Sequence, residues 1–331
     1  MSAVSEATEE IGFRTSGQSG EPVTWYRTAQ QLEQEAALLA RTLVGTVDEV
    51  VSFAHERHLY GRLLGEALPR HLGVPVRHRW QDPLTPPDLD PDRRTLLVCL
   101  PSTWLLLRPL VPRLRRMSVV AVHGTGPVVP ATHEVIAALD GSDFTASEVF
   151  GSTETGGVAY RWLTGARREP APWTTFDDVT VVGERDREQR LTVRSPRLAR
   201  RADMSGRPEE LTTDDVVRPR SDGLEIVGRA SRLAKVNGVR FQLEQVEAVL
   251  TTGFPHAEFV CVSTADDVRA EHYELYYACD EPIPVADLHA RITRSAPGVP
   301  VPRQVRRVTA FRRSAVGKIR RPVPATACGV V

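Results

Sequence analysis

Lysine is almost missing from this 331-residue chain: of 42 Lys and Arg residues, all but Lys235 and Lys318 are arginine. Cysteine is also scarce. Cys99, Cys261, Cys279 and Cys328 show no CxxC or Cys/His spacing, which argues against a zinc site and a disulfide framework and fits a reducing, cytoplasmic setting. Net charge is absent too, with 42 acidic residues against 42 basic ones, so nothing suggests general attraction to nucleic acid or to an anionic membrane. No apolar run reaches the roughly 18 residues needed to span a bilayer. The N-terminus "MSAVSEATEE" is polar and acidic, unlike a signal peptide.

What is present is an ordered alternation. From residue 24 to 150 the pattern reads as a helix over 28–44, a strand at "VVSF", a helix from Leu59 and a strand at "GVPVRH". Then come "TLLVCL" with a helix "TWLLLRPLVPRLRR", "SVVAVHG" with a helix "PATHEVIAALD", and a strand "FTASEVFG". Such alternation predicts α/β layers with largely parallel strands, whose C-terminal ends line a ligand crevice. Beyond residue 175, "DDVTVVGE", "RLTVRSP" and "VVRPRSDGLEIVGR" have period-2 patterning and read as a small antiparallel region, with "RADMSGRPEELTT" as a loop. A boundary near 228–231 gives a core over 1–228 and a small α+β unit over 229–331, containing a helix "QLEQVEAVLTT" and strands "AEFVCVST" and "YELYYACD".

Three stretches carry chemistry. In "FRTSGQSGEPV" (13–23), glycines let backbone N–H groups converge and hydroxyls add donors, so the loop is either a polyphosphate cradle or merely a flexible connection. Its spacing does not match GxxxxGK[ST]. In "VFGSTETGG" (149–157) a strand ends in small residues and one carboxylate; Glu154 is either a Mg²⁺ ligand at the crevice rim or an exposed loop glutamate. In residues 212–250 an acidic pair precedes a hairpin, followed by Arg229, Lys235, Gly238 and an amphipathic helix.

Together these resemble the AMP-forming adenylating superfamily of acyl- and aryl-CoA synthetases, peptide-synthetase adenylation domains and luciferases. "TSGQSGEPV" resembles its [ST]SG[ST]TGxPK phosphate loop, "FGSTETG" its YGxTE element and "TTDDVV" its TGD. "GRASRLAKVNGVRF" is similar to GRxDxxxKxxGxR, "SAVGKIRR" to the terminal xxxGKxxR, "HERHLYG" to its aromatic or His motif, and "HGTGPV" to its GGxPL-like segment. The resemblance implies that Thr15, Ser16, Gly17, Gln18, Ser19 and Gly20 cradle the β- and γ-phosphates, that Thr153 touches the α-phosphate and that Glu154 holds Mg²⁺. It implies further that Gly124, Thr125 and Gly126 border the adenine, that Asp215 accepts from the ribose with Arg229 assisting, and that His58 sits at the substrate carboxylate. Lys318 would donate to the α-phosphate and acyl oxygens. Rotation of a mobile C-terminal lid would then exchange it for the segment around Lys235 and Gly238. A compact ammonium on a flexible stem suits that task better than a planar guanidinium, which is a reason for an arginine-rich chain to keep a lysine there.

The sequence departs from the family at Val23 (a lysine there), Asp214 (the TGD glycine) and Ser231 (the hinge aspartate). The phosphate loop lies much nearer the start than in the family. The resemblance therefore implies an N-terminally truncated core with a bare apolar face, covered by a homo-oligomer or a dedicated partner. The function expected is acid–thiol ligation with ATP and Mg²⁺, joining a small aryl or fatty carboxylic acid to CoA or to the phosphopantetheine of an acyl carrier protein. The alternatives are hydrolysis of an acyl thioester or adenylate, or a non-catalytic nucleotide-binding module.

Overall fold

The computed structural model describes residues 9–15, 23–165, 172–236, 239–266, 269–313, 319 and 322. By its contacts the chain divides into two units: Met1–Arg187 with Leu191–Thr213 and Arg218–Glu225, and Ile226–Val331 with Glu188–Arg190 and Asp214–Val217.

In the first unit, strands β1 (Glu10–Thr15) and β2 (Val23–Thr28) form an antiparallel hairpin, with Thr15 opposite Val23. Residues 16–22, the expected phosphate loop, are the connection between them and lie outside the described residues. Helix α1 (Ala29–Leu39) follows β2 at once, because Thr28 is both the last strand residue and an N-cap. Its hydroxyl accepts from the Gln31 N–H while the Gln31 side chain accepts from the Thr28 N–H, a reciprocal cap that satisfies two otherwise orphaned donors.

The next strands are β3 (Glu49–Ser52), β4 (Val76–His78), β5 (Thr95–Cys99), β6 (Val119–His123), β7 (Phe144–Ser152), β8 (Gly156–Trp162) and β9 (Thr174–Thr175). They form one seven-stranded sheet in the order β4-β3-β5-β6-β7-β8-β9, parallel from β4 to β7 and antiparallel at β8 and β9. This is the α/β layering expected from the alternation. Strands β3, β5 and β6 are buried at every residue, so both faces of the sheet's middle are covered, and the bare apolar face expected above is not found there. Trp104, Leu107 and Leu114, from the stretch after β5, pack with Val135 and Ile136 of helix Pro130–Ala138 over one face. The helical run 59–72 packs on β3 and β4 and against α1.

"TWLLLRPLVPRLRR" is not the single helix expected. Thr103–Leu107 and Val111–Leu114 are separated by a 3₁₀ turn, Arg108–Leu110, since Pro109 and Pro112 donate no N–H and crowd the preceding turn. The next strands in the chain, β10 (Thr180–Val182), β11 (Gln189–Arg194), β12 (Arg200–Arg201), β13 (Leu211–Arg220) and β14 (Gly223–Arg229), supply the antiparallel region in the order β10-β11-β13-β14, while β12 joins β2. The segment expected as a loop at 201–213 thus has strand residues at both ends.

The second unit has a hairpin of β15 (Leu233–Val236) and β16 (Val239–Gln242), and a three-stranded sheet of β17 (Glu258–Asp266), β18 (Arg269–Ala278) and β19 (Gln304–Val308). Helices Leu243–Gly253 and Val285–Ser295 bury Val246, Leu250, Leu288 and Ile292 against Phe259, Tyr273, Leu275 and Tyr277 of the sheet. The opposite sheet face carries Val260 and Tyr276 with Phe311, and Ile319 packs beside them.

Candidate active site

The parallel strands of the first unit end in register. Ser52 of β3 pairs with Val98, Cys99 of β5 with His123, and His123 of β6 with Glu148. The residues just beyond these ends are the ones singled out in the sequence: His58 after β3, Gly124–Gly126 after β6, and Thr153 and Glu154 after β7. They are gathered at the C-terminal edge of one sheet, where open α/β sheets bind ligands. Strand β7 runs on to Ser152, four residues past Glu148 or about 13 Å at 3.3 Å per residue. Thr153 and Glu154 are therefore carried well past the Gly124 loop.

The Gly124–Gly126 loop is held from below by His123 and Tyr60, which lie within the quoted motifs but had no role assigned there, and by Trp104. His123 is fully buried, and its Nδ1 accepts from Trp104 Nε1 at 3.0 Å. That fixes the tautomer with hydrogen on Nε2, which donates to the Gly126 carbonyl at 3.0 Å. Burial pushes the His123 pKa down to about 4, against a partial upward pull from the Gly126 carbonyl. Thr125 sits at φ +70, an αL conformation uncommon for a residue with a Cβ. Tyr60, two residues after His58, donates through its hydroxyl to the Val122 carbonyl at 2.8 Å and to that of Cys99 at 3.2 Å. Burial raises its pKa well above the usual phenol value, so it stays a donor. A Cβ on Gly124 would come within 2.6 Å of the Tyr60 ring, so glycine is required there by space. Nearby, His55 stacks on Trp80 with ring centroids 4.1 Å apart. His58 itself is the N-cap residue of the turn Leu59–Arg62, and its N–H donates to the His55 carbonyl.

The turn joining β7 to β8 rests on a buried ionic network. Arg27 of β2 and Arg197 are both fully buried, with Glu35 of α1 between them: Arg27 Nη1 lies 2.9 Å from Glu35 Oε2 and Arg197 Nη1 3.1 Å from Oε1. Arg197 also forks onto Asp178 at 2.7 and 2.8 Å. Two guanidinium and two carboxylate groups balance, which is what permits Arg27, Arg197 and Glu35 to leave water while Asp178 stays partly exposed. Burial lowers the Arg197 pKa, but Glu35 and Asp178 outweigh it and the net shift is upward; for Arg27 burial outweighs Glu35 and the shift is downward.

This network reaches the turn's backbone at several points. Arg27 Nε donates to the Thr153 carbonyl at 3.3 Å, the Gly157 N–H donates to Glu35 at 2.7 Å, and Arg197 donates to the Gly157 carbonyl at 2.8 Å. The Ala199 N–H meets the Glu154 carbonyl at 2.9 Å. Gly156 lies at φ +74, and a Cβ there would stand 2.6 Å from Glu35, 2.8 Å from Arg197 and 2.9 Å from Arg27. The half-buried Glu154 carboxylate has Arg27 in its field. Among the described residues no group of three or more His, Cys, Asp or Glu could hold a metal. One carboxylate suits a Mg²⁺ bound mainly through substrate phosphates and water, as the resemblance implies, rather than one in an all-protein cage.

In the second unit, Asp215 accepts from Arg229 Nε at 3.1 Å, while Asp214 accepts from the Ser231 N–H and hydroxyl. The two acids of "TTDDVV" thus have different partners, and Asp214 holds the turn at Ser231. Lys235 lies in β15, paired with Arg240 of β16, and Thr15 ends β1. Ser16, Gly17, Gln18, Ser19, Gly20, Gly238 and Lys318 fall outside the described residues. Next to Lys318, Ile319 forms a bridge with Arg313.

Sequence reasoning missed Arg27, Glu35, Arg197, Tyr60 and His123. For Arg27 the only signal is a charge inside a short strand pattern, "VTWYRT", and nothing in sequence shows what would neutralise it.

The sheet order, with Gly124–Gly126, Thr153 and Glu154 just past the ends of its parallel strands, is that of an α/β fold that binds ligands at such ends, and comparison with known proteins makes the likeness more specific. No family model matches the chain. It is 32% identical over 160 residues to a 4-coumarate–CoA ligase of Halorhodospira halophila, a match covering 48% of this chain and 39% of that protein. It is 27% identical over 259 residues to a 4-coumarate–CoA ligase of Rhodobacter capsulatus, covering 76% and 59%. The matches thus span less than two thirds of either relative's length. Among solved structures, the anthranilate–CoA ligase AuaEII in complex with anthranoyl-AMP superposes with TM-score 0.74 at 17% identity over 95% of this chain and 66% of that one. O-succinylbenzoate–CoA synthetase of Bacillus subtilis, in complex with ATP and magnesium ion, gives 0.74 at 17% over 94% and 68%. The chain thus shares the fold of solved adenylate-forming CoA ligases.

Proposed function

We propose that the chain is an AMP-forming ligase that activates a small carboxylic acid and passes the acyl group to a thiol. A carboxylate oxygen attacks the α-phosphorus of ATP, the bond to the β-phosphate bridging oxygen breaks, and acyl-adenylate and pyrophosphate result. A thiolate then attacks the acyl carbon and AMP leaves. The observation that carries this reading is the placement of His58, Gly124–Gly126, Thr153 and Glu154 past the C-terminal ends of parallel strands in a fold shared with adenylate-forming ligases.

In this scheme the Gly124–Gly126 loop borders the adenine, His58 meets the substrate carboxylate, and Thr153 donates to the α-phosphate. Glu154 would hold Mg²⁺, which when bound would supply positive charge to the phosphates. Thr15 and residues 16–20 cradle the departing pyrophosphate, Asp215 and Arg229 take the ribose, and Lys318 gives its ammonium to the oxygens between acyl carbon and phosphorus. Lys235 and Gly238 serve the thiol step. We favour an aryl or fatty acid, because "SFAHERHLYG" offers no aspartate to hold an α-amino group. The acceptor is CoA or the phosphopantetheine of an acyl carrier protein.

Exchange of labelled pyrophosphate into ATP across a panel of aryl, fatty and amino acids tests the first step. At least one aryl or fatty acid should support exchange, and Lys318→Ala should lower it about 100-fold or more. Exchange with no acid would sink the ligase reading, and undiminished exchange in Lys318→Ala would remove the lysine's role.

A further inference from the structure

The geometry points to Arg27 and Glu35 as positioning residues that set the Thr153–Glu154 turn for a metal–nucleotide, an inference that rests on the nucleotide site proposed above. The β7–β8 ladder runs to the Ser152–Gly156 pair and Ser152 and Thr155 hydrogen-bond across the three-residue turn, but the Thr153 and Glu154 carbonyls take their bonds from outside the hairpin. The Thr153 carbonyl is held by Arg27, the Glu154 carbonyl by the Ala199 N–H, and the Gly157 N–H by Glu35. Glu35 lies on α1 and Arg27 on β2, both a short way after residues 16–22. Helix α1 also grips the stretch leading to Ala199, since Gln31 Nε2 donates to the Pro196 and Leu198 carbonyls at 3.0 Å each.

One β-strand and one helix therefore fix the metal-side turn and anchor the segment that follows the phosphate loop. Arg27 is buried and touches no crevice surface, and its Nη2 finds no acceptor among the described residues. Its contribution is to hold the Thr153 carbonyl, and with it the backbone that carries Glu154.

The test uses the full chain and Arg27→Lys, which keeps a cation beside Glu35 but cannot also reach the Thr153 carbonyl. Mn²⁺ binding in the presence of ATP is followed by electron paramagnetic resonance, alongside metal-free ATP binding and hydrogen exchange of the peptide 150–158. The expected result is Mn²⁺ affinity weakened about 10-fold, as for loss of a group that orients a metal ligand. Metal-free ATP affinity should be unchanged, and faster exchange should be confined to that peptide. If the wild type binds Mn²⁺–ATP and Arg27→Lys matches it, the positioning role is overturned while the nucleotide site stands. If the wild type binds none, both are overturned. Asp178→Asn, at the half-exposed end of the network, is the second variant should Arg27→Lys not fold. It should weaken Mn²⁺–ATP in the same direction by less, and an unchanged value there also overturns the role.

Discussion

Gly156→Ala should be among the most damaging single-methyl additions in the first unit, and the structure supplies its own control. Gly156 and Gly73 have nearly the same backbone angle, φ +74 and φ +69. At Gly73, which ends the helix Leu68–Leu72, nothing lies within 4 Å of a built Cβ. Alanine there meets only the left-handed backbone cost of about 1–2 kcal/mol, less about 0.4–1 kcal/mol from a stiffer unfolded chain. At Gly156 the same methyl stands 2.6 Å from Glu35 Oε2, 2.8 Å from Arg197 Nη1 and 2.9 Å from Arg27 Nη2. None of the three can swing into water, because Glu35 and both arginines are essentially unexposed. Displacing one leaves a buried charge unpaired, at about 3–5 kcal/mol. The expected losses are thus about 0–1.6 kcal/mol for Gly73→Ala and about 3–7 kcal/mol for Gly156→Ala, a large share of the roughly 5–15 kcal/mol that holds a domain folded. Urea unfolding followed by tryptophan fluorescence and far-ultraviolet circular dichroism measures both. Equal losses in the two variants would refute the reasoning, since the backbone angle would then account for everything and the network for nothing.

Three further outcomes are expected. His123 has a folded-state pKa near 4 against 6.5 when unfolded, so the unfolded chain takes up the proton first. The stability it contributes is full above about pH 6.5 and is lost as pH falls toward 4, at most about 3 kcal/mol. His123→Gln should flatten that part of the urea-midpoint profile, and an unchanged slope would contradict a neutral buried imidazole. Tyr60→Phe keeps the ring against Gly124 but removes the hydroxyl that donates to the Val122 and Cys99 carbonyls; about 1–2 kcal/mol should be lost in the same assay. Burial raises the thiol pKa of both Cys99 and Cys261, so in the folded chain an alkylating reagent should modify the half-buried Cys279 well before either. Peptide mapping by mass spectrometry would show early Cys99 labelling if its packing were wrong.

The layered core was legible because its signals are local. "VVSF", "TLLVCL" and "SVVAVHG" are short apolar runs followed by helix-forming segments, and each became a strand of the sheet's buried middle. The break at Pro109 was readable in principle, since proline acts on its own turn, yet the apolar periodicity across "TWLLLRPLVPRLRR" masked it. That Gly124 and Glu154 fall just past strand ends was also legible, because each follows an apolar run that reads as a strand. What stayed hidden is whatever depends on partners distant in sequence. Arg27 and Thr153 are 126 positions apart, and Gln31 and Leu198 are 167 apart.

The sequence by itself determined the order of most elements and the α/β layering of the first unit, since each is written within a few consecutive residues. Tertiary structure alone decided which charges neutralise one another in the core, why Gly124 and Gly156 admit no side chain, and what supports the Thr153–Glu154 turn. The physical reason is that electrostatic balance and steric room are properties of neighbours in space, and those neighbours come from strands and helices the chain visits far apart.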